Sequence, residues 1–80
     1  MDVQKAVFDI IRELSGVESI ELDASLQKDI FLDSLGMVTL LLMVEDEFKI
    51  ELDESDMNPF DLITVNDVVG LVKKYMEGEK

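Results

Sequence analysis

The chain has 80 residues and a net charge of −12 at pH 7, and it contains neither cysteine nor histidine. A chain of this length forms one domain with a limited core, and a hydrophobic fraction of 48% is typical of a globular protein. The missing residue types exclude disulfides, thiolate nucleophiles and Ser-His-Asp or Cys-His catalytic sites, and they remove the commonest metal ligand. We therefore expect one domain, residues 1–80, that is not an enzyme and holds no dedicated metal ion.

The first segment predicts a helix followed by a long loop. Apolar residues recur at helical spacing over residues 3–15, namely Val3, Ala6, Val7, Ile10, Ile11 and Leu14. Gly16 follows where a glycine commonly ends a helix. Residues 17–33 show no sustained helical period and no hairpin signal, and we interpret them as a loop anchored by Ile20, Leu22, Leu26 and Leu32. A loop of this length in so small a domain usually has a function.

Residues 34–48 predict the second helix, with Asp33 as its N-cap. On a helical wheel its apolar residues form two stripes. The wide stripe, predicted to face the core, contains Met37, Leu40, Leu41, Val44 and Phe48. The narrow one, here named the second stripe, contains Leu35, Val38 and Leu42, and Glu45 and Asp46 lie on either side of it one turn further along. An apolar strip edged by acids favours a docking surface for a basic partner, although a central helix of a bundle can also be buried on most sides.

The last third of the chain predicts two further helical segments. Asn58-Pro59 indicates a short helical turn, and Thr64-Val65-Asn66-Asp67 is typical of a capping box that begins the final helix. The apolar face of that helix is marked by Val65, Val68, Val69, Val72 and Tyr75 or Met76, with Lys73 and Lys74 in its last turn. No segment predicts a strand. The expected fold class is all-α, a small antiparallel bundle of three main helices plus one short helix.

Most of the negative charge lies in the middle of the chain. Residues 18–61 contain thirteen acidic residues and two lysines, which gives this segment a net charge of −11. Such a field repels nucleic acid and anionic membranes and attracts partners with basic patches, although solubility alone would explain it as well. The apolar run at residues 40–44 is too short to span a bilayer, and acids interrupt the N-terminal segment where a signal peptide would lie. We expect a soluble, cytoplasmic monomer.

A cation-binding protein is a further alternative, suggested by Asp53, Glu54, Asp56 and Asp61. This spacing lacks the central glycine and terminal glutamate of a calcium loop, so we do not predict a dedicated site. Divalent cations should still stabilise the chain weakly, because they relieve its self-repulsion.

Ser34 is the predicted first residue of the second helix. Unpaired N–H groups and the positive end of the helix dipole favour a phosphate at this position. A serine here can carry a phosphodiester, or it can cap the helix without any chemistry. Asp-Ser-Leu alone is a weak signal, so the surrounding sequence has to decide between the two.

A longer pattern surrounds Ser34. It comprises Leu26-x-x-Asp29-x-x-Leu32-Asp33-Ser34-Leu35, then Val38, Leu40 and Glu45-Asp46-Glu47-Phe48, and later Ile63-Thr64-Val65-Asn66-Asp67-Val68-Val69. With the helix order, the long first loop, the length and the acidity, this resembles the acyl and peptidyl carrier proteins over essentially the whole chain. The resemblance implies that a phosphopantetheinyl transferase uses coenzyme A and Mg²⁺ to attach 4′-phosphopantetheine to Ser34. A protein without its own thiol would thus carry cargo as a thioester between enzymes, and would itself catalyse nothing.

The resemblance also implies roles for the neighbours of Ser34. Asp33 would cap the helix and help present the serine. Partners would contact Leu35, Gly36, Val38, Thr39, Leu42, Glu45 and Asp46. The expected partners are the transferase, a ligase or acyltransferase that loads the arm, and downstream synthase enzymes with basic docking patches.

Three positions depart from fatty-acid carriers, which usually have Gly at the place of Phe31, commonly an acid at that of Gly36, and Glu at that of Thr39. Gly36 costs up to about 1 kcal/mol of helix propensity, which suggests a close approach by a partner or the arm. Gly36 and the run Leu40-Leu41-Leu42 are similar to D-alanyl carrier proteins, but those usually have a Trp before the last helix, and this chain has none. We favour a fatty-acid or polyketide carrier. The alternatives are an aminoacyl or D-alanyl carrier and an unmodified acidic helical adaptor.

Overall fold

The computed structural model describes residues 2–56 and 62–77, which fold into three α-helices. These are α1 (Val3–Ser15), α2 (Ser34–Phe48) and α3 (Val65–Glu77), with a short 3₁₀ helix, Glu54–Asp56, between α2 and α3. Within the described ranges there is no strand, only an isolated bridge between Ser25 and Thr64. The predicted all-α bundle of three main helices is confirmed. The helical turn predicted at Asn58-Pro59 lies outside the described residues.

Local caps fix the helix ends where the sequence predicts them. Gly16 has a φ of 80° and its N–H donates to the carbonyl of Arg12, which ends α1. At the start of α3 the capping box is reciprocal. Thr64 Oγ1 accepts from Asp67 N at 3.3 Å, and Asp67 Oδ2 accepts from Thr64 N at 3.0 Å.

One hydrophobic core joins the helices and the long loop. α1 packs against both α2 and α3. The core consists of Val7, Ile10 and Ile11 of α1, Met37, Leu40, Leu41, Val44 and Phe48 of α2, Val65, Val68, Val69 and Val72 of α3, and Ile20, Leu26, Ile30, Leu32, Leu52 and Leu62 of the connections. Burial of each such side chain contributes about 1.5–3 kcal/mol before the entropy cost of folding.

None of the described helices combines the length and the apolar character needed to cross a membrane.

The long loop, residues 17–33, is fastened to the beginning of α3. Three backbone N–H groups donate across this junction: Leu26 to Ile63 (2.9 Å), Val65 to Ala24 (3.1 Å) and Asn66 to Leu22 (2.8 Å). Leu32 N then donates to Leu26 O at 2.9 Å, immediately before α2 begins. The loop therefore fixes where the chain enters α2, and with it the position of Ser34.

Candidate functional site

Ser34 is the first residue of α2, and it is exposed. Asp33 precedes it as the N-cap with an extended backbone. The Oδ1 atom of Asp33 accepts a 2.7 Å hydrogen bond from Gly36 N, and its carbonyl accepts from Met37 N at 2.9 Å. The bond from Gly36 N satisfies one of the N–H groups that a helix leaves unpaired at its start, and the bond from Met37 N is the first of the helix's own backbone bonds. The first turn is thereby held in place, while Ser34 stays exposed to solvent.

The electrostatic setting of Ser34 favours an anion. The first turn of α2 contains no acidic residue, so no carboxylate within that turn repels an anion that binds at the positive end of the helix dipole. The one carboxylate at this end, that of Asp33, is already bonded to the backbone of Gly36. An exposed hydroxyl at the start of a helix, with an acid-free first turn, fits the attachment of a phosphodiester-linked group.

Gly36 allows a close approach within the chain itself. A Cβ atom at this position would lie 3.2 Å from Asp33 Oδ1 and 3.2 Å from Leu32 Cδ2, which is tighter than nine in ten real Cβ contacts. The glycine thus lets the capping carboxylate and the Leu32 side chain sit close to the helix. The suggested approach of a partner or the arm at Gly36 stays a prediction, and the glycine has an internal explanation besides.

The two stripes of α2 separate as predicted. The five residues of the wide stripe are all buried. The second stripe is exposed, with relative accessibilities of 74% for Leu35, 41% for Val38 and 53% for Leu42. An exposed apolar strip beside Ser34 is available to a partner, and its role as a contact surface stays a prediction.

The polar residues beside the second stripe differ in their exposure and in their hydrogen bonds. Glu45 is half-buried, and its Oε2 accepts a 2.7 Å hydrogen bond from Leu52 N. Thr39 is also half-buried, and its hydroxyl donates to the carbonyl of Leu35 at 2.9 Å. Asp46, in contrast, is exposed. Of the two acids predicted to contact partners, Asp46 is therefore the accessible one, whereas Glu45 holds the end of α2.

Two exposed apolar residues outside α2 were missed by the sequence reasoning as contact candidates. Phe31 is 77% exposed and has a φ of 67°, and Ile63 is 61% exposed. The left-handed backbone at Phe31 explains the glycine that is usual here in fatty-acid carriers, because glycine adopts such a φ without steric cost. That departure was the signal that could have identified Phe31. Ile63 gave no comparable signal.

The acidic segment after α2 is tied to α3 rather than arranged around a cation. The Tyr75 hydroxyl donates to Asp56 Oδ2 at 2.6 Å and accepts from Asp53 N at 2.8 Å, and Lys74 Nζ lies 3.4 Å from Asp56. The Tyr75 hydrogen bond lowers the pKa of Asp56, and the same bond raises the pKa of Tyr75. No group of three acidic side chains in the described ranges could hold a metal ion, and Asp61 lies outside those ranges.

Comparison with known proteins gives a consistent result. A family model described as a phosphopantetheine attachment site matches residues 5–72. A D-alanyl carrier protein of Lactobacillus delbrueckii subsp. bulgaricus is 35% identical over 80 residues, covering 99% of this chain and 100% of the relative. An acyl carrier protein of Desulforapulum autotrophicum is 39% identical over 77 residues, covering 92% and 97%. A solved structure assigned as an acyl carrier protein of Mycobacterium tuberculosis superposes with a TM-score of 0.83 at 27% identity, covering 92% of this chain and 99% of that one.

Proposed function

This chain belongs to the family of carrier proteins with a phosphopantetheine attachment site, and from this premise we propose that Ser34 is the residue that bears the covalent 4′-phosphopantetheine. The position of Ser34 is the observation that carries the proposal. The serine is exposed, it begins a helix, and the first turn of that helix contains no acid. Asp33, through its bond to Gly36, holds this turn in the conformation that presents the hydroxyl.

In this reaction the chain itself supplies only the nucleophile and the helix start that stabilises the product. Ser34 Oγ attacks the β-phosphorus of coenzyme A, its proton passes to a base of the transferase, and 3′,5′-adenosine bisphosphate leaves. The start of α2 then stabilises the new phosphodiester through its dipole. When bound, the group supplies the thiol that the sequence lacks, and this thiol holds the cargo as a thioester. The protein is a non-catalytic carrier on which partner enzymes act.

Partner enzymes dock, in this proposal, on the second stripe and the exposed acid next to it. Leu35, Val38 and Leu42 provide apolar contact, and Asp46 attracts a basic patch. Gly36 and Thr39 lie between these residues. Many fatty-acid carriers have an acidic residue at each of these two positions, and their synthases contact those acids. The partners are a phosphopantetheinyl transferase, a ligase or acyltransferase that loads the arm, and downstream synthases.

The favoured cargo is a fatty-acyl or polyketide intermediate. The acyl carrier relative, at 39% identity, and the sequence of the last third support this class. A D-alanyl cargo is the second candidate, because the D-alanyl carrier relative is 35% identical over the full length and shares this chain's size. Offering the modified protein to a D-alanine ligase and to a fatty-acyl synthetase, side by side, distinguishes the two by the mass of the product.

The attachment itself is tested by intact-protein mass spectrometry. The wild-type chain is incubated with coenzyme A, Mg²⁺ and a broad-specificity transferase, and it should gain the mass of one phosphopantetheine. Ser34→Ala should gain nothing. Ser19→Ala, which changes an exposed serine of the loop, should be modified like the wild type. An unmodified wild type, or a Ser34→Ala chain that still gains mass, would refute the proposal and favour an unmodified acidic adaptor.

A further inference from the structure

The three most exposed large apolar side chains of the described residues come from three different segments. They are Phe31 at the end of the long loop (77% exposed), Leu35 in the first turn of α2 (74%) and Ile63 just before α3 (61%). Backbone bonds bring the segments together, because Leu26 donates to Ile63 O and accepts from Leu32 N. We name Phe31, Leu35 and Ile63 the apolar rim.

Phe31 has a strained backbone conformation, and no contact of its side chain within the described fold offsets the cost. A left-handed backbone is unfavourable for any residue with a Cβ, and the exposed ring does not offset that cost by burial. Neighbouring bonds impose the conformation, since Ile30 N donates to Ser25 O at 3.1 Å and Leu32 N donates to Leu26 O at 2.9 Å. The other non-glycine residue with positive φ in the described ranges, Lys49, has a local role as the C-cap of α2.

Backbone outliers of this kind cluster at functional contacts. Resting on the function proposed for Ser34, we propose that the apolar rim is the docking surface for the phosphopantetheinyl transferase, with the Phe31 ring as the anchor that enters an apolar pocket of that enzyme. Exposed aromatic residues are the usual anchors of such interfaces.

The transferase is the occupant that the geometry favours. It has to bring coenzyme A to the Ser34 hydroxyl, so its surface covers the residues next to Ser34 whatever else it contacts. Coenzyme A carries several phosphates, and the site that binds it is therefore basic. Asp29 and Asp33 lie on either side of Phe31 in sequence, and although one oxygen of each accepts a backbone hydrogen bond, from Ser25 N and Gly36 N, both residues are exposed and offer the opposite charge to such a site.

Steady-state kinetics of phosphopantetheine transfer test the inference, with a broad-specificity transferase and saturating coenzyme A. Phe31→Gly should lower kcat/KM about tenfold, mainly through KM, because the buried area of an aromatic ring is lost from the complex. The glycine relieves the positive φ, so thermal unfolding followed by circular dichroism should show a variant at least as stable as wild type. Met76→Ala removes another exposed apolar side chain, 42% accessible and on α3, and should leave kcat/KM unchanged.

A second measurement separates docking from chemistry. The Ser34→Ala chain cannot be modified, but it should compete with the wild type for the transferase. The double variant Ser34→Ala/Phe31→Gly should inhibit about tenfold more weakly. If Phe31→Gly changes neither KM nor inhibition, the inference is overturned, and that outcome would favour a ring that covers the attached arm or contacts a second copy. A wild-type chain that gains no mass would instead refute the proposed function, so the two failures are distinguishable.

Discussion

The Oε2 atom of Glu45 accepts a 2.7 Å hydrogen bond from the backbone N–H of Leu52, seven residues further along the chain. Leu52 is 6% exposed and belongs to the core. The carboxylate thus takes the place of a backbone acceptor for the segment that follows α2. A half-buried acid with this role is a structural residue, even though a helical wheel places it beside the second stripe.

Glu45→Ala should lower the free energy of unfolding by about 1–3 kcal/mol, because it leaves a partly buried N–H group unpaired. Asp46→Ala is the matched control, since it removes the next acid, which is exposed. We expect a change within about 0.5 kcal/mol, or slight stabilisation, because an acid near a helix C-terminus opposes the dipole. Urea denaturation measures both. Equal losses in the two variants would contradict the structural role of Glu45.

The contrast between Glu45 and Asp46 shows which features of the structure could be predicted from the sequence and which could not. The bounds of α1 and α2, the caps at Gly16 and Asp33 and the buried stripe of α2 depend on patterns within a few residues, and they could be predicted. That Ser34 is the first residue of α2 follows from the same local signals, whereas the place where α2 begins in the fold is fixed by the long loop and its bonds to the start of α3. Whether Glu45 is free or bonded depends instead on where a later segment folds back, and the helical period contains no such information.

The exposure of Phe31 and Ile63 in the apolar rim was not predicted from the sequence, for a related reason. A backbone φ follows from the hydrogen bonds on both sides of a residue, and at Phe31 these are made by a loop without periodicity. Ile63 precedes a capping box and is of a residue type that is usually buried, yet it is exposed. Only the junction between the long loop and α3 brings Ile63 beside this loop.

The left-handed backbone at Phe31 predicts an inverted order of glycine and alanine. Phe31→Gly should be more stable than Phe31→Ala by about 1 kcal/mol, because alanine keeps the steric cost of a positive φ. On α3 the usual order should hold, since a Cβ added at Gly70 meets nothing within 4 Å. Gly70→Ala should therefore stabilise the protein by about 0.5–1 kcal/mol.

Thermal unfolding reads out this comparison, since about 1 kcal/mol shifts the Tm of so small a domain by roughly 4–8 °C. If alanine is the more stable residue at both positions, the backbone of Phe31 is not left-handed in solution, and the argument from conformational cost fails.

The net charge of −12 predicts stabilisation by salt and by divalent cations without a specific site. The Tm should rise with NaCl, and Mg²⁺ and Ca²⁺ should raise it to similar extents without saturating at low concentration, because no acidic group of three in the described ranges could hold a metal. A Tm that ignores both salt and Mg²⁺ would contradict the role of self-repulsion. Saturable preference for one ion would indicate a dedicated site.

A hydrogen bond from Tyr75 to Asp56 joins the end of the bundle to the 3₁₀ helix and makes a pH-dependent contribution to stability. The bond is 2.6 Å long, and together with Lys74 it holds the pKa of Asp56 below the ordinary value of 3.8. A depressed pKa means that the native state binds the proton less tightly than the unfolded state, so the contribution is present above pH 3.8 and is lost as the pH falls through the lower native pKa. The pKa of Tyr75 is raised above 10.0 by the same bond, so the contribution persists across neutral pH.

Tyr75→Phe should therefore lower the Tm by a few degrees at pH 7, and by less once Asp56 is protonated. The ring remains, so the apolar packing of α3 is retained and the variant isolates the hydroxyl. Asp56→Asn should produce a similar loss at pH 7, because it removes the charge that Tyr75 and Lys74 both stabilise. Calorimetric melting of the wild type and both variants, in steps from pH 7 downwards, gives the difference directly. A gap between wild type and Tyr75→Phe that stays constant through the titration of Asp56 would mean that the hydroxyl acts only through contacts that do not titrate, such as the bond it accepts from Asp53 N, and that the charge of Asp56 adds nothing to the fold.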